Sequence, residues 1–205
     1  MAQLFVISAP SGTGKTSLIH KVLEEELASK TKLGVSCTTR QRRENEEEGV
    51  AYFFLDEEAF NKKLNKGNFL EHAKVFGNLY GTPKDWVVST ISEGFDVILE
   101  LDVQGAVQVK NTYPDAKTIF IIPPSYEDLK NRLIKRDQDS VETIKKRLSE
   151  AKQEVISGKD FDHLITNDNF DLAFEDLKCA MYSAKDLNKG RESLTKKCLS
   201  QLLDQ

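Results

Sequence analysis

The chain has 205 residues, with 29 Lys and Arg against 33 Asp and Glu and a formal charge of −4. That balance argues against a dedicated nucleic-acid-binding domain, which is usually basic, and 39% hydrophobic with 30% charged residues excludes a disordered or fibrous chain. No apolar run approaches the ~20 residues that a membrane span needs.

The first element, Leu4-Phe-Val-Ile7, is a short apolar run stopped by Ser8-Ala-Pro-Ser-Gly-Thr-Gly14, and it reads as a buried strand feeding a turn. No basic stretch precedes it, so a signal peptide is not expected and a cytoplasmic location is. Cys37, Cys179 and Cys198, odd in number and widely spaced, fit reduced thiols in such a compartment. From Lys15 the residues Leu18, Ile19, Val22, Leu23 and Leu27 recur at helical spacing. Strand, glycine loop and helix form the opening unit.

Two further apolar runs, Val97–Leu101 ending in Asp102 and Thr118–Ile122 ending in Pro123-Pro124, read as central strands of a parallel sheet. His163–Thr166 is a shorter candidate. The roughly 60 residues between the opening unit and Val97 are too many for one crossover helix. Within them Val35–Thr39, Ala51–Leu55 and Asn68–Val75 read as strands, and Asp56 starts a short helix through Leu64. Asn78–Gly81 reads as a turn, and Thr82 with Pro83 as the cap and first position of a helix. An inserted, mostly β subdomain is implied.

After Pro124 the sequence turns helical and charged. Ser125-Tyr-Glu-Asp128 resembles a capping box and opens a helix to about Arg136; a second helix runs from about Ser140 to Gly158. Few large apolar residues lie around the interruption, so this hairpin is expected to be mobile. The last helices, 171–184 and 191–203, carry modest stripes of Leu172, Phe174 and Leu177, then Leu194, Cys198 and Leu202.

Ala9-Pro-Ser-Gly-Thr-Gly-Lys-Thr16 matches the phosphate-loop pattern G-x-x-x-x-G-K-[ST], with Ala9 in place of the first Gly. The chemistry survives that change. Gly12 and Gly14 let backbone N–H groups turn toward phosphate oxygens, Lys15 reaches the terminal phosphates, and the Thr16 hydroxyl can ligate Mg²⁺. Asp102, closing an apolar strand, stands where such enzymes hold Mg²⁺ through water; the alternative is a helix-capping Asp, and Glu100 is a weaker partner. Arg40, Arg42 and Arg43 form a basic cluster that could be no more than a solvated face, with Glu44–Glu48 behind it.

Taken together, that loop, Val35-Ser-Cys-Thr-Thr-Arg-Gln-Arg-Arg43, Tyr52-Phe-Phe, Phe69-Leu-Glu71, Asn78-Leu-Tyr-Gly-Thr82, Asp102-Val-Gln-Gly105 and Pro123-Pro-Ser125 resemble the guanylate kinase family from about Leu4 to Ala184. The resemblance implies an α/β, three-layer P-loop fold with a mainly parallel central sheet, an inserted mixed β GMP-binding subdomain over 35–83 and a helical lid over 126–147. The core would comprise 1–34, 84–125 and 148–205.

It implies ATP and GMP as small-molecule substrates with Mg²⁺, no nucleic-acid or membrane partner, and a monomer or homodimer. The ATP site would use Ala9, Pro10, Ser11, Gly12, Thr13, Gly14, Lys15, Thr16, Arg132, Arg136 and Asn167. The phosphate of GMP falls to Arg40, Arg43, Tyr52 and Tyr80, and guanine to Ser36, Glu71 and Thr82, with Glu100 and Asp102 beside them. The base recognition also has a chemical reason: guanine presents N1–H and N2–H₂ as adjacent donors that one carboxylate accepts in pairs, whereas adenine would turn a lone pair toward Glu71. Lys15, Arg40, Asp102, Arg136 and Arg147 carry the transfer, which needs no general base because the acceptor phosphate is already ionised. In many relatives Ser stands where this chain has Thr82, and glycines flank the middle lid arginine where Lys135 and Asp137 stand here. A non-catalytic module of this fold is a rival reading, but such modules lose phosphate-loop residues, and Lys15 and Thr16 are present.

Overall fold

The computed structural model describes residues 2–44, 46–75, 77–135, 141–183 and 189–204, and the chain divides into two compact units, 1–6 with 30–116 and 7–29 with 117–205. The strands are β1 (Leu4–Ser8), β2 (Thr31–Leu33), β3 (Cys37–Thr38), β4 (Phe53–Phe54), β5 (Phe69–Val75), β6 (Asn78–Pro83), β7 (Asp96–Glu100), β8 (Lys117–Ile122) and β9 (His163–Thr166). The helices are α1 (Lys15–Leu23), α2 (Glu57–Asn65), α3 (Lys84–Ser92), α4 (Val103–Thr112), α5 (Tyr126–Lys135), α6 (Val141–Gly158), α7 (Phe170–Tyr182) and α8 (Lys189–Leu203). One sheet has the strand order β2-β7-β1-β8-β9, with parallel pairing at β2–β7 and β8–β9; a second, mixed sheet has the order β4-β3-β6-β5. This is the α/β architecture expected, with a parallel central sheet and a separate mixed one.

In the first unit, Val97, Ile98 and Leu99 of β7 and Val103, Ala106 and Val109 of α4 are buried. Gly34 has no room for a side chain, since a Cβ there would stand 2.4 Å from Leu99 Cδ2. The small sheet has its own core of Cys37, Phe60 and Phe69, with Phe60 and Phe69 stacked at 4.6 Å between centroids and Phe53, Leu55, Leu64 and Leu79 packed around them. The Asp56 side chain caps α2 by accepting from the Ala59 N–H at 2.7 Å. In the second unit, Ile119–Ile122 are fully buried, and Leu129, Leu133 and Ala151 join α5 to α6. The capping box holds: the Asp128 N–H donates to Ser125 Oγ at 3.0 Å.

Several local expectations are corrected. Asn78–Gly81 is strand rather than turn, because Tyr80 pairs with Thr38 on one side and Ala73 on the other; the reversal falls beside it at Gly77, φ 83°. The cap of α3 is Pro83, not Thr82, whose hydroxyl is spent on Glu71. Helix α1 ends at Leu23, and a 3-10 turn over Glu26–Ala28 changes the phase, burying Ala28 and leaving Leu27 50% exposed. Leu172, at the start of α7, is likewise exposed, the buried face being Ala173, Phe174, Asp176 and Leu177. On α8 the buried stripe includes Thr195 beside Cys198 and Leu202, with Leu194 only partly covered. Among the described residues no helix is long and apolar enough to cross a membrane, and Cys37, Cys179 and Cys198 are thiols.

Candidate functional site

In the second unit, β1 delivers the chain into the loop 9–14, and α1 carries it away. Ala9 and Pro10 are buried, Ser11 is exposed, and the Thr13 N–H closes the turn on the Pro10 carbonyl at 3.1 Å. Gly12 and Gly14 adopt φ 94° and 97°, a left-handed conformation that other residues rarely take. Both also lack room. A Cβ on Gly12 would meet Leu133 at 2.9 Å, and one on Gly14 would meet Asn167 Nδ2 at 2.8 Å. Gly14 caps α1, so Lys15 and Thr16 open that helix, where unpaired N–H groups and the helix dipole favour an anion.

The loop is braced from two elements. Thr13 O accepts from Asn167 Nδ2 at 2.7 Å and from Arg132 Nη1 at 3.2 Å, while Arg132 Nη2 donates to Asn167 O at 2.6 Å. Asn167 is held at the end of β9, its own N–H donating to Ile122 O. These residues, with Ser17, Asp168 and Phe170, line a cleft of about 420 Å³. Thr13 itself is fully buried, and its hydroxyl has no hydrogen-bond partner among the described residues.

In the first unit, three expected base-binding residues come together. Thr82 Oγ1 donates to Glu71 Oε1 at 2.7 Å and lies 3.4 Å from Ser36 Oγ. The segment 36–40 is fixed by its neighbours: Phe53 N–H donates to Ser36 O, and Thr39 exchanges bonds with Leu79 through its N–H and its hydroxyl. β5 lies at the free edge of its sheet, and α4 takes the place of the missing strand. Gln108 bonds both the N–H and the carbonyl of His72, and Thr112 Oγ1 donates to Leu70 O, so Glu71 is pinned on both sides. A Cβ on Gly105 would stand 3.3 Å from Glu71 Oε2 and 3.4 Å from Asp102 Oδ1. Burial, assisted by the charge of Asp102, pushes the Glu71 carboxyl above its ordinary range, against the opposing bonds from Thr82.

The residues expected at the GMP phosphate lie in the same unit. Arg40 Nη2 pairs with Glu46 Oε1 at 2.7 Å, and its guanidinium carbon lies 5.4 Å from the Tyr52 ring centroid. The Tyr52 and Tyr80 rings meet edge to face at 5.8 Å. Burial pushes the Tyr52 phenol up, keeping it a donor, and Glu100 is among the charges felt there. Glu46 Oε2 accepts the Arg43 N–H at 2.9 Å, so one carboxylate ties Arg40 and Arg43 together. The bond with Arg40 holds the Glu46 carboxyl below its ordinary range.

Asp102 caps α4 by accepting from the Gly105 N–H at 2.7 Å, so the capping alternative is realised whatever else the carboxylate does. Arg147 lies half-buried on α6 and does not line the cleft beside the loop. Arg136 lies outside the described residues. Sequence reasoning missed Glu46, which sits in an acidic run that reads as solvated surface, and Gln108, whose role depends on the edge of β5. It also missed Ser17, Asp168 and Phe170 at the cleft. Ser17 directly follows Thr16 and Asp168 directly follows Asn167, which is the signal that could have found those two.

The sequence matches the Guanylate kinase family over residues 1–184. It is 52% identical over 176 residues to a guanylate kinase of Hahella chejuensis, covering 86% of this chain and 84% of that protein. It is 48% identical over 202 residues to one of Coxiella burnetii, covering 98% and 95%. The crystal structure of guanylate kinase from Anaplasma phagocytophilum superposes with a TM-score of 0.69 at 30% identity, over 93% of this chain and 89% of that one.

Proposed function

The chain belongs to the guanylate kinase family and is an ATP:GMP phosphotransferase, and from that premise we propose how its residues divide the reaction. The phosphate loop of the second unit takes ATP. Lys15 and the N–H groups that open α1 hold the β and γ phosphates, and the cleft lined by Arg132, Asn167 and Asp168 receives the nucleoside end. The first unit takes GMP, with guanine on Ser36, Glu71 and Thr82 and the phosphate on Arg40, Arg43, Tyr52 and Tyr80. Two guanidinium forks and two phenols are donors suited to a phosphate dianion.

Thr16 and Asp102 are hard oxygen donors of the kind that Mg²⁺ combines with water and phosphate oxygens. Among the described residues no group of three His, Cys, Asp or Glu forms a cage, which suits an ion arriving on ATP. Mg²⁺ there would neutralise charge on the β and γ phosphates. The chain's part is positioning and positive charge: Lys15, Arg136 and Arg147 on the transferring phosphoryl group, and Arg40 on the acceptor. Hydrolysis of ATP without GMP is expected to be orders of magnitude slower than transfer, because a lid over 126–147 closes only on both nucleotides. The domain limits 1–34, 84–125 and 148–205 for the core and 35–83 for the GMP subdomain belong to this reading. So do a cytoplasmic location, acceptance of dGMP, and a monomer or homodimer.

The observation that carries the GMP assignment is the Thr82–Glu71 bond with Ser36 beside it. A coupled assay across GMP, AMP, UMP, CMP and dTMP on wild type and Glu71→Gln tests it. Transfer to GMP alone, with the variant losing GMP affinity far more than ATP affinity, supports the reading. Equal loss for both nucleotides would show Glu71 to be structural.

A further inference from the structure

Helix α8 begins at Lys189, beyond the residues 1–184 that carry the family likeness, yet one of its side chains reaches the rim of the cleft. Arg191, with its side chain 13% exposed, donates Nη1 to Asp168 Oδ1 at 2.7 Å, Nε to Asp176 Oδ2 at 2.9 Å and Nη2 to Thr166 O at 2.9 Å. Thr166 and Asp168 flank Asn167, whose Nδ2 reaches the Thr13 carbonyl of the phosphate loop. A single guanidinium therefore grips the chain on both sides of the residue that braces the loop.

We propose that Arg191 is a positioning residue for ATP, fixing Thr166–Asp168 so that Asn167 keeps its bond to the loop and Asp168 its place in the cleft wall; this rests on the reading that the cleft receives ATP. The planar fork matters. Three acceptors in three directions, one a backbone carbonyl and two carboxylates, match an arginine and not the single ammonium of a lysine. Docking of α8 does not depend on Arg191 alone, because Thr195, Cys198 and Leu202 are buried on the same helix and Thr195 exchanges a hydroxyl bond with Thr166 at 2.9 Å. A structural role and a positioning role are therefore separable by experiment.

The test uses steady-state kinetics on the full chain with Arg191→Met, Arg191→Lys, Asp176→Asn, Leu202→Ala and Arg132→Ala. Arg191→Met is expected to raise KM for ATP about tenfold with KM for GMP unchanged within about twofold, and Arg191→Lys to recover part of the loss. Asp176→Asn, which loosens the grip from the side away from the cleft, raises KM for ATP in the same sense and serves if Arg191→Met does not fold. Leu202→Ala weakens the docking of α8 with Arg191 intact and leaves KM for ATP at the wild-type value. If Leu202→Ala raises KM for ATP as much as Arg191→Met does, Arg191 only holds the helix down and the proposal is overturned. If the Arg191 and Asp176 variants leave KM for ATP unchanged while Arg132→Ala raises it, the proposal falls and the ATP assignment of the cleft stands. If none of them moves it, both fall.

Discussion

The Thr82 hydroxyl donates to the Glu71 carboxylate at 2.7 Å, with both residues buried in the first unit, so the acid proposed to read guanine is held in place by its own neighbour. Burial and the charge of Asp102 raise the Glu71 pKa above the ordinary value, and only the ionised form accepts both guanine donors. GMP affinity is therefore lost as pH falls through that raised pKa, earlier than for an exposed Glu at about 4.3. The GMP phosphate also titrates near pH ~6. Measuring the ratio of GMP affinities of wild type and Glu71→Gln against pH cancels that contribution. The ratio should shrink on acidification from above the ordinary carboxylate range, and a ratio constant down to about pH 4.3 would contradict the assignment.

Gly105 allows the two acids to share the end of α4. A Cβ would press on Glu71 Oε2 at 3.3 Å, tighter than ordinary contact, while Asp102 is tethered to the Gly105 N–H and cannot yield. An Ala in a helix otherwise gains about 0.5–1 kcal/mol over Gly. Gly105→Ala should thus leave the melting temperature unchanged or slightly higher and raise KM for GMP several-fold, about 1 kcal/mol of binding. Unchanged GMP kinetics would mean that Glu71 relaxes freely.

The larger elements were legible because each carried its own period. The apolar runs at β1, β7 and β8, the glycine loop and the paired helices α5 and α6 follow from local pattern alone. The candidate base-binding trio, whose members the structure brings together, was legible only through resemblance, since nothing local marks Glu71 as other than a surface acid. What stayed hidden depends on partners distant in sequence. Gln108 matters because β5 has a strand on one side only, Arg191 because three acceptors converge on it, and β6 could not be told from a turn because its ladder to β3 joins segments far apart in sequence, Thr38 with Tyr80.

Glu46 ties the arginine pair together, with Oε1 on the Arg40 guanidinium and Oε2 on the Arg43 N–H. Removing it releases the Arg40 side chain and the backbone at Arg43, whose ordering GMP must then supply. Glu46→Ala is expected to raise KM for GMP about tenfold and leave KM for ATP unchanged. A lower KM for GMP would show instead that Glu46 competes with the phosphate for Arg40.

Thr13 is fully buried, with a hydroxyl that has no partner among the described residues. An unpaired buried polar group costs about 1–3 kcal/mol, and an apolar group of the same shape removes that cost. Thr13→Val should stabilise the ligand-free protein by about 1 kcal/mol in denaturant unfolding. A loss of stability would reveal a partner that this conformation does not make.

Asp102 is asked to do two things, and an amide separates them. Its carboxylate caps α4 through the Gly105 N–H, and its charge adds to burial in raising the Glu71 pKa. Asn caps about as well as Asp, whereas Ala costs about 1 kcal/mol at such a position. Asp102→Asn should therefore keep the stability of the wild type within about 0.5 kcal/mol, and Asp102→Ala should not. If the charge also serves the transfer with Mg²⁺, kcat falls more than about tenfold in both variants and by similar factors, because both lose the carboxylate. Removing that charge also lets the Glu71 pKa fall, so GMP binding by Asp102→Asn should persist to lower pH than in wild type. A kcat that follows stability, preserved in Asn and lost in Ala, would reduce Asp102 to a helix cap.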